Sequence, residues 1–203
     1  MSADVRAPGI VLGIAGSPRR HGNSERLLDA FLDGARDAGA TAQKLAVVEY
    51  GIAPCRGCNA CSSTGECVVR DRMQEVYPLL DAAGALAVAT PVFFATVPAT
   101  LKAVYDRLQP YWARRYVLKQ PAPARRPAEV LVVRGGGDPY GYECAVTTTR
   151  SALAVLGAKA GEPLVVEGVD SPSEIGRHAD ALQAARERGA AMAEALARTA
   201  GEG

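Results

Sequence analysis

Apolar residues fall along this chain in two alternating kinds of run: short unbroken stretches, and longer segments in which they return every three or four positions. Residues 10–15 (IVLGIA) are continuously apolar, as a strand covered on both faces must be. Leu27, Leu28, Phe31, Leu32 and Ala35 then recur at helical spacing, with Asn23 or Ser24 as the expected N-cap and Gly39 as the stop. A second strand is expected at 44–48. A helix from about Asp71 follows, carrying Met73, Val76, Tyr77 and Leu80, and Pro78 is expected to kink or shorten it. Residues 85–92 (ALAVATPV) predict a third strand, and Pro98 opens a helix with Leu101, Val104, Tyr105 and Leu108 on its inward line. The fourth strand, 129–134, runs into Gly135-Gly136-Gly137, and a helix over 142–156 stops at Gly157. Residues 164–169 complete the strands. An Ala-rich helix from about Ser173 to Arg198 aligns Ile175, Leu182, Ala185, Met192 and Leu196.

Strict alternation of five strands with five helices predicts a parallel sheet with helices on both faces, because right-handed crossovers place them there. The expected fold is a three-layer, doubly wound α/β sheet of the flavodoxin-like order 2-1-3-4-5, the economical choice for five strands, with a ligand at the carboxyl ends. One domain is expected over residues 1–203, with 1–8 as a flexible tail and 53–70 as a cysteine-rich loop. Arg114, Arg115 and Tyr116, with the Pro-rich stretch 120–127, read as an insertion-like loop suited to a dimer contact.

Charge narrows the partners. With 23 basic and 22 acidic residues the net charge is +1, which provides no long-range field for nucleic acid or an anionic membrane. No apolar run approaches the roughly 20 residues of a membrane span, and residues 1–8 lack the apolar centre of a secretory signal, so a cytoplasmic location is expected.

The turn between the first strand and first helix, Gly16-Ser17-Pro18-Arg19-Arg20-His21-Gly22-Asn23-Ser24, stands where helix N-terminal amides and the helix dipole favour a phosphate. Ser17, Asn23 and Ser24 offer hydrogen bonds and Arg19 offers charge. The loop lacks the lysine of a Walker A motif, and Gly13-Ile14-Ala15-Gly16 is not a dinucleotide fingerprint. A mononucleotide fits better. An ordinary βα turn using Gly, Ser and Pro for shape is the plain alternative.

Four of the five cysteines, Cys55, Cys58, Cys61 and Cys67, form C-x2-C-x2-C-x5-C. Three thiolates at three-residue steps let one loop reach three corners of a cubane cluster, and the fourth returns after a turn. Zinc is the chemical rival, although four-cysteine zinc sites usually pair two C-x2-C knuckles, and a loop without metal is the third possibility. Arg56, Arg70 and Arg72 would offset thiolate charge or lie in solvent. Cys144 is expected to be a small buried hydrophobe, and His21 and His178 solvated polar residues.

Gly16-Ser17-Pro18-Arg19, Gly22-Asn23-Ser24, Pro91-Val92-Phe93-Phe94, Leu101-Lys102 and Asp106-Arg107 together resemble the NADPH-dependent FMN reductase family from about Ile10 to Ile175, and the cysteine loop resembles its iron–sulfur flavoprotein branch. The resemblance implies FMN, with its phosphate on Ser17, Arg19, Gly22, Asn23 and Ser24. Thr90, Pro91, Val92, Phe93 and Phe94 would lie along the isoalloxazine, and Arg134, Gly135, Gly136 and Gly137 would form a further flavin loop. It also implies a [4Fe–4S] cluster on Cys55, Cys58, Cys61 and Cys67. The family usually has tyrosine and glycine where this chain has Phe93 and Ala95, so aromatic stacking is kept and a hydroxyl is lost.

The leading expectation is an FMN-dependent oxidoreductase relaying electrons between a cluster, FMN and an acceptor, with no side-chain catalyst required because the cofactor carries the chemistry. A protein donor such as ferredoxin and a homodimer or homotetramer accompany it. The alternatives are an NAD(P)H-dependent FMN or quinone reductase without a cluster, and a non-catalytic thiol or zinc sensor module.

Overall fold

The computed structural model describes residues 9–201, so the expected tail at 1–8 lies outside the described residues. The chain order is β1 (Ile10–Ala15), α1 (Asn23–Asp37), β2 (Thr41–Ala46), α2 (Cys61–Thr64), α3 (Met73–Ala82), β3 (Ala85–Pro91), α4 (Ala99–Asp106), α5 (Gln109–Tyr116), β4 (Arg126–Val133), α6 (Glu143–Val155), β5 (Ala158–Ala160), β6 (Leu164–Val166) and α7 (Ala179–Gly201). The strands are parallel in the order β2-β1-β3-β4-β5, with β6 also pairing with β4, and this is the flavodoxin-like arrangement.

Successive residues of a strand face opposite ways, and the two cores follow from that alternation. Leu12, Ile14, Leu86, Val88, Val130 and Val132 pack under α3, α4, α5 and α6. Val11, Ala15, Ala85, Ala87, Ala89, Leu131 and Val133 face α1 and α7. Small residues on this second face let α1 approach closely. A side chain at Gly13 would meet Leu28 and Leu32 at 2.8–3.0 Å. Helices α1 and α7 touch backbone to backbone: a Cβ on Gly34 would overlap Arg186 O, and one on Gly189 would overlap Phe31 O.

Several boundaries differ from expectation, each for a physical reason. β2 begins at Thr41 because its hydrogen bonds to β1 begin there, although its first residues are largely exposed and carry no apolar signal. The helix carrying Pro78 continues to Ala82, since Val76 and Leu80 are buried on the sheet and packing outweighs one lost backbone bond. The fifth strand position is filled by β5 and β6, both on β4, rather than by one run over 164–169. Arg114, Arg115 and Tyr116 form the last turn of α5 rather than an insertion loop, and residues 126–127 already belong to β4. Ile175 lies in the short 3₁₀ turn Glu174–Arg177 that precedes α7. Cys144 is exposed near the start of α6, not buried.

Candidate functional site

At the carboxyl ends of β1, β3 and β4 lies a cavity of about 410 Å³, within the usual range for small-ligand sites. Its floor is the loop after β1. The N-cap of α1 is Gly22 rather than Asn23 or Ser24, and the first intrahelical bond runs from Arg26 N–H to Gly22 O at 3.0 Å. The amides before Arg26 therefore have no helical acceptor, and the positive end of α1 faces the cavity. Ser17, Arg19, Gly22, Asn23 and Ser24 all line it, as do Pro91, Val92, Phe93 and Gly135.

The local folding of this loop explains why it is ready for an anion. Ser17 Oγ, nearly buried, accepts the Arg19 N–H at 3.0 Å, and this closes the turn. His21 stands at φ +56°, a left-handed conformation, and its N–H donates to Glu25 Oε2 at 2.6 Å. Glu25 also accepts from Arg20 and, at 2.8 Å, from Lys44. Burial alone would push the Glu25 carboxyl up, but bonds from Arg20, Lys44 and the His21 amide outweigh it and hold its pKa at about 2. Glu25 is thus a fixed anion under the loop and holds Arg20 in an ion pair, and both Arg19 and Arg20 line the cavity.

Asn23 holds the far wall. Its Nδ2 donates to Ser171 O at 2.9 Å and its Oδ1 accepts from Ile175 N–H at 3.2 Å, so this side chain ties α1 to the segment before α7 along the cavity wall. That segment adds Val169, Asp170, Pro172 and Ser173 to the lining, and Arg20, His21, Arg26 and Val133 complete it. Arg20 and His21 belong to the loop the sequence singled out, although neither was expected at the ligand, and the others carried no local signal of a ligand. Ser173, at φ +66°, and His21 place left-handed strain on opposite walls of one cavity, a concentration expected at functional sites.

Five residues expected at the cofactor do not line this cavity. Thr90 is fully buried and its hydroxyl bonds Pro91 O. Arg134 donates to Asp138 O at 2.8 Å, shaping the glycine loop from behind, while Gly136 and Gly137 lie further along that loop. Phe94 is 98% exposed at the tip of a tight turn, in which Phe93 N–H bonds Thr96 O and both Phe94 and Ala95 are left-handed. Ala95 O receives the Ala145 N–H of α6, which fixes the turn against that helix.

A second cavity, of about 320 Å³, is lined by all four clustered cysteines, Cys55, Cys58, Cys61 and Cys67, together with Arg56, Arg107 and Trp112. Burial, followed by the neighbouring thiols Cys67, Cys55 and Cys58, pushes the Cys61 thiol up. Four thiols around one space are a soft donor set that a positively charged metal body would stabilise. Among the described residues no three Cys, His, Asp or Glu side chains gather closely enough for a single metal ion. The arginines divide: Arg56 faces this cavity, Arg70 bonds Gln74, and Arg72 pairs with Glu75 and stacks on Tyr50. The loop's two ends are pinned by Arg107, which the sequence offered only as part of the Asp106-Arg107 motif and not as a site residue.

A parallel sheet of this order with a phosphate-type loop at its carboxyl rim defines a flavodoxin-like mononucleotide-binding class. Residues 10–167 match the family described as NADPH-dependent FMN reductase, and the chain belongs to that family. Within it, the similarity runs to the iron–sulfur flavoprotein branch. An iron–sulfur flavoprotein of Archaeoglobus fulgidus is 36% identical over 128 residues, covering 63% of this chain and 56% of that protein. One from Methanosarcina thermophila is 36% identical over 109 residues, covering 54% and 57%. The chain thus spans a little over half the length of these relatives. Among solved structures, a flavone reductase superposes with a TM-score of 0.68 at 17% identity, covering 92% of this chain and 62% of that one. An NAD(P)H:quinone oxidoreductase from Methanothermobacter marburgensis gives 0.64 at 19%, covering 91% and 98%. A flavodoxin from the domain Archaea gives 0.57 at 13%, covering 92% and 98%. At such identities these structures speak for the fold alone.

Proposed function

We propose that this chain is an FMN-dependent oxidoreductase that pairs the flavin with an iron–sulfur cluster. The observation that carries the reading is the loop after β1, where unbonded amides at the α1 N-terminus, Ser17, Ser24 and Arg19 converge on one cavity. They would hold the FMN phosphate, and the Pro91, Val92 and Phe93 backbone and the Gly135 edge would bound the ring system. FMN supplies two-electron chemistry that can be passed on one electron at a time. The residues of the chain bind and orient it: Glu25 fixes the loop, Asn23 fixes the wall, and Phe93 offers an aromatic face.

Cys55, Cys58, Cys61 and Cys67 would hold a [4Fe–4S] cluster. A zinc ion needs four sulfurs about 2.3 Å from one point, whereas cubane ligands stand further apart around a larger body. The four cysteines line one space, and their C-x2-C-x2-C-x5-C spacing suits a cubane better than the paired C-x2-C knuckles of a zinc site. Exposed Phe94 and Tyr140 support assembly with further copies of the chain, and exposed Trp112 and Tyr116 near the cysteines support a protein electron donor such as ferredoxin. A cytoplasmic location accords with free cysteines and with the absence, among the described residues, of a helix long and apolar enough to cross a membrane.

Membership of the NADPH-dependent FMN reductase family also supports a second reading, an NAD(P)H-dependent FMN or quinone reductase with an empty cysteine loop. Anaerobic purification with flavin and iron assays separates the two. The first reading expects one FMN and about four irons per chain. FMN without iron, bleached directly by NADPH, selects the second, and absence of flavin binding overturns both.

A further inference from the structure

Arg107 is a large charged residue whose side chain is 0% exposed. A guanidinium taken out of water costs several kcal/mol unless its N–H groups are answered, and four of the five are. Nη1 donates to Asp71 Oδ2 at 2.7 Å and to Ala53 O at 3.0 Å. Nη2 donates to Asp71 Oδ1 and to Val69 O, both at 3.1 Å. Ala53 precedes Cys55 by two residues and Val69 follows Cys67 by two, so one side chain holds both ends of the cysteine segment. Asp71 reinforces this by accepting the Ala53 N–H at 3.0 Å, and the Arg107 carbonyl is itself bonded by Tyr77 Oη at 2.8 Å.

The fifth N–H is different. Nε of Arg107 is buried and has no hydrogen-bond acceptor among the described residues, although Arg107 lines the cavity shared by the four cysteines and interacts electrostatically with Cys67. An unanswered buried donor is costly, and a planar fork with four bonds in place cannot turn away to satisfy the fifth.

We propose that Arg107 is the positioning residue of the cysteine cavity: it pre-forms the loop by joining its two ends, and it keeps Nε–H as a donor to sulfur in the body the cysteines hold. The first half stands on the hydrogen bonds alone, and the second rests on the cluster reading above. Lysine keeps the charge but cannot make the two-ended fork, so Arg107→Lys separates geometry from charge. Donors to sulfur and nearby positive charge raise a cluster's reduction potential.

The test uses anaerobically purified, FMN-loaded chain, read by amide hydrogen exchange over residues 53–69, by iron and flavin content, and by the midpoint potential of the iron centre. In Arg107→Lys, loop exchange should be at least tenfold faster, iron retention should fall severalfold and the remaining centre should shift to lower potential, with flavin content unchanged. Wild-type exchange and iron retention in that variant would overturn the proposal. Should wild-type protein hold flavin without iron, the cluster reading and the Nε role fall together, and loop exchange still decides the positioning role. If Arg107→Lys does not fold, Asp71→Asn decides in its place: it removes the anion and leaves both carbonyl anchors, so loop exchange should rise, and wild-type exchange would count against the proposal.

Discussion

Glu25 has its side chain 1% exposed beneath the loop that would grip the nucleotide, with Arg20, Lys44 and the His21 amide around it. Its folded pKa of about 2 lies below the ordinary 4.5, so its contribution to stability is complete above roughly pH 5 and is lost as pH falls toward about 2. That contribution is worth roughly 3 kcal/mol at neutral pH. Glu25→Gln should flatten the acid limb of a stability-versus-pH curve and weaken FMN binding by tenfold or more, because the His21 turn loses its anchor. Equal acid sensitivity in variant and wild type, read by chemical denaturation at several pH values, would count against this assignment. Neither Glu25 nor Arg107 was legible in the sequence as a site residue. A single charged residue within a helix, as Glu25 is, or just past one, as Arg107 is, reads as solvated surface, and only tertiary contact with Lys44 or with Ala53 and Val69 reveals otherwise. Asn23 was legible as a member of the loop, but its bonds to Ser171 and Ile175 join positions some 150 apart in sequence that no local pattern connects.

Among the elements, the tight turn after β3 stores the plainest strain. Phe94 and Ala95, at φ +49° and +62°, both occupy the left-handed region, which costs an L-residue about 1–2 kcal/mol. Part of that is offset by the bond from Ala145 N–H to Ala95 O. Ala95→Gly should therefore gain roughly 0.5–1 kcal/mol and raise Tm by a few degrees, measured calorimetrically; a fall in Tm would show that the turn is not strained as drawn. Elements with an unbroken apolar run or a strong helical stripe, such as β1, β3 and α1, fell where the pattern placed them. Those that shifted are the ones that tertiary pairing defines. β2 is half polar, β5 is three residues long, and α5 is a polar eight-residue helix held by buried Pro110, Tyr111 and Ala113.

At the scale of the whole molecule, alternation and handedness gave a parallel sheet, the strand order was chosen as the economical one for five strands and is the one observed, and the closeness of α1 and α7 depended on glycines whose role only the packed pair explains. Gly34→Ala and Gly189→Ala each insert a methyl into the opposing backbone, which must then separate. Each should destabilise the fold by about 3 kcal/mol or more and lower flavin occupancy with it; a variant that melts like wild type would show that the helices are not in backbone contact. The contact between α1 and α7 also has a meaning for the order of events during synthesis. The loop that would grip the nucleotide is made before the surface that clamps its helix and the wall that closes its cavity. Flavin capture should accordingly lag behind translation of the sheet, and nascent chains stalled before α7 should emerge without cofactor.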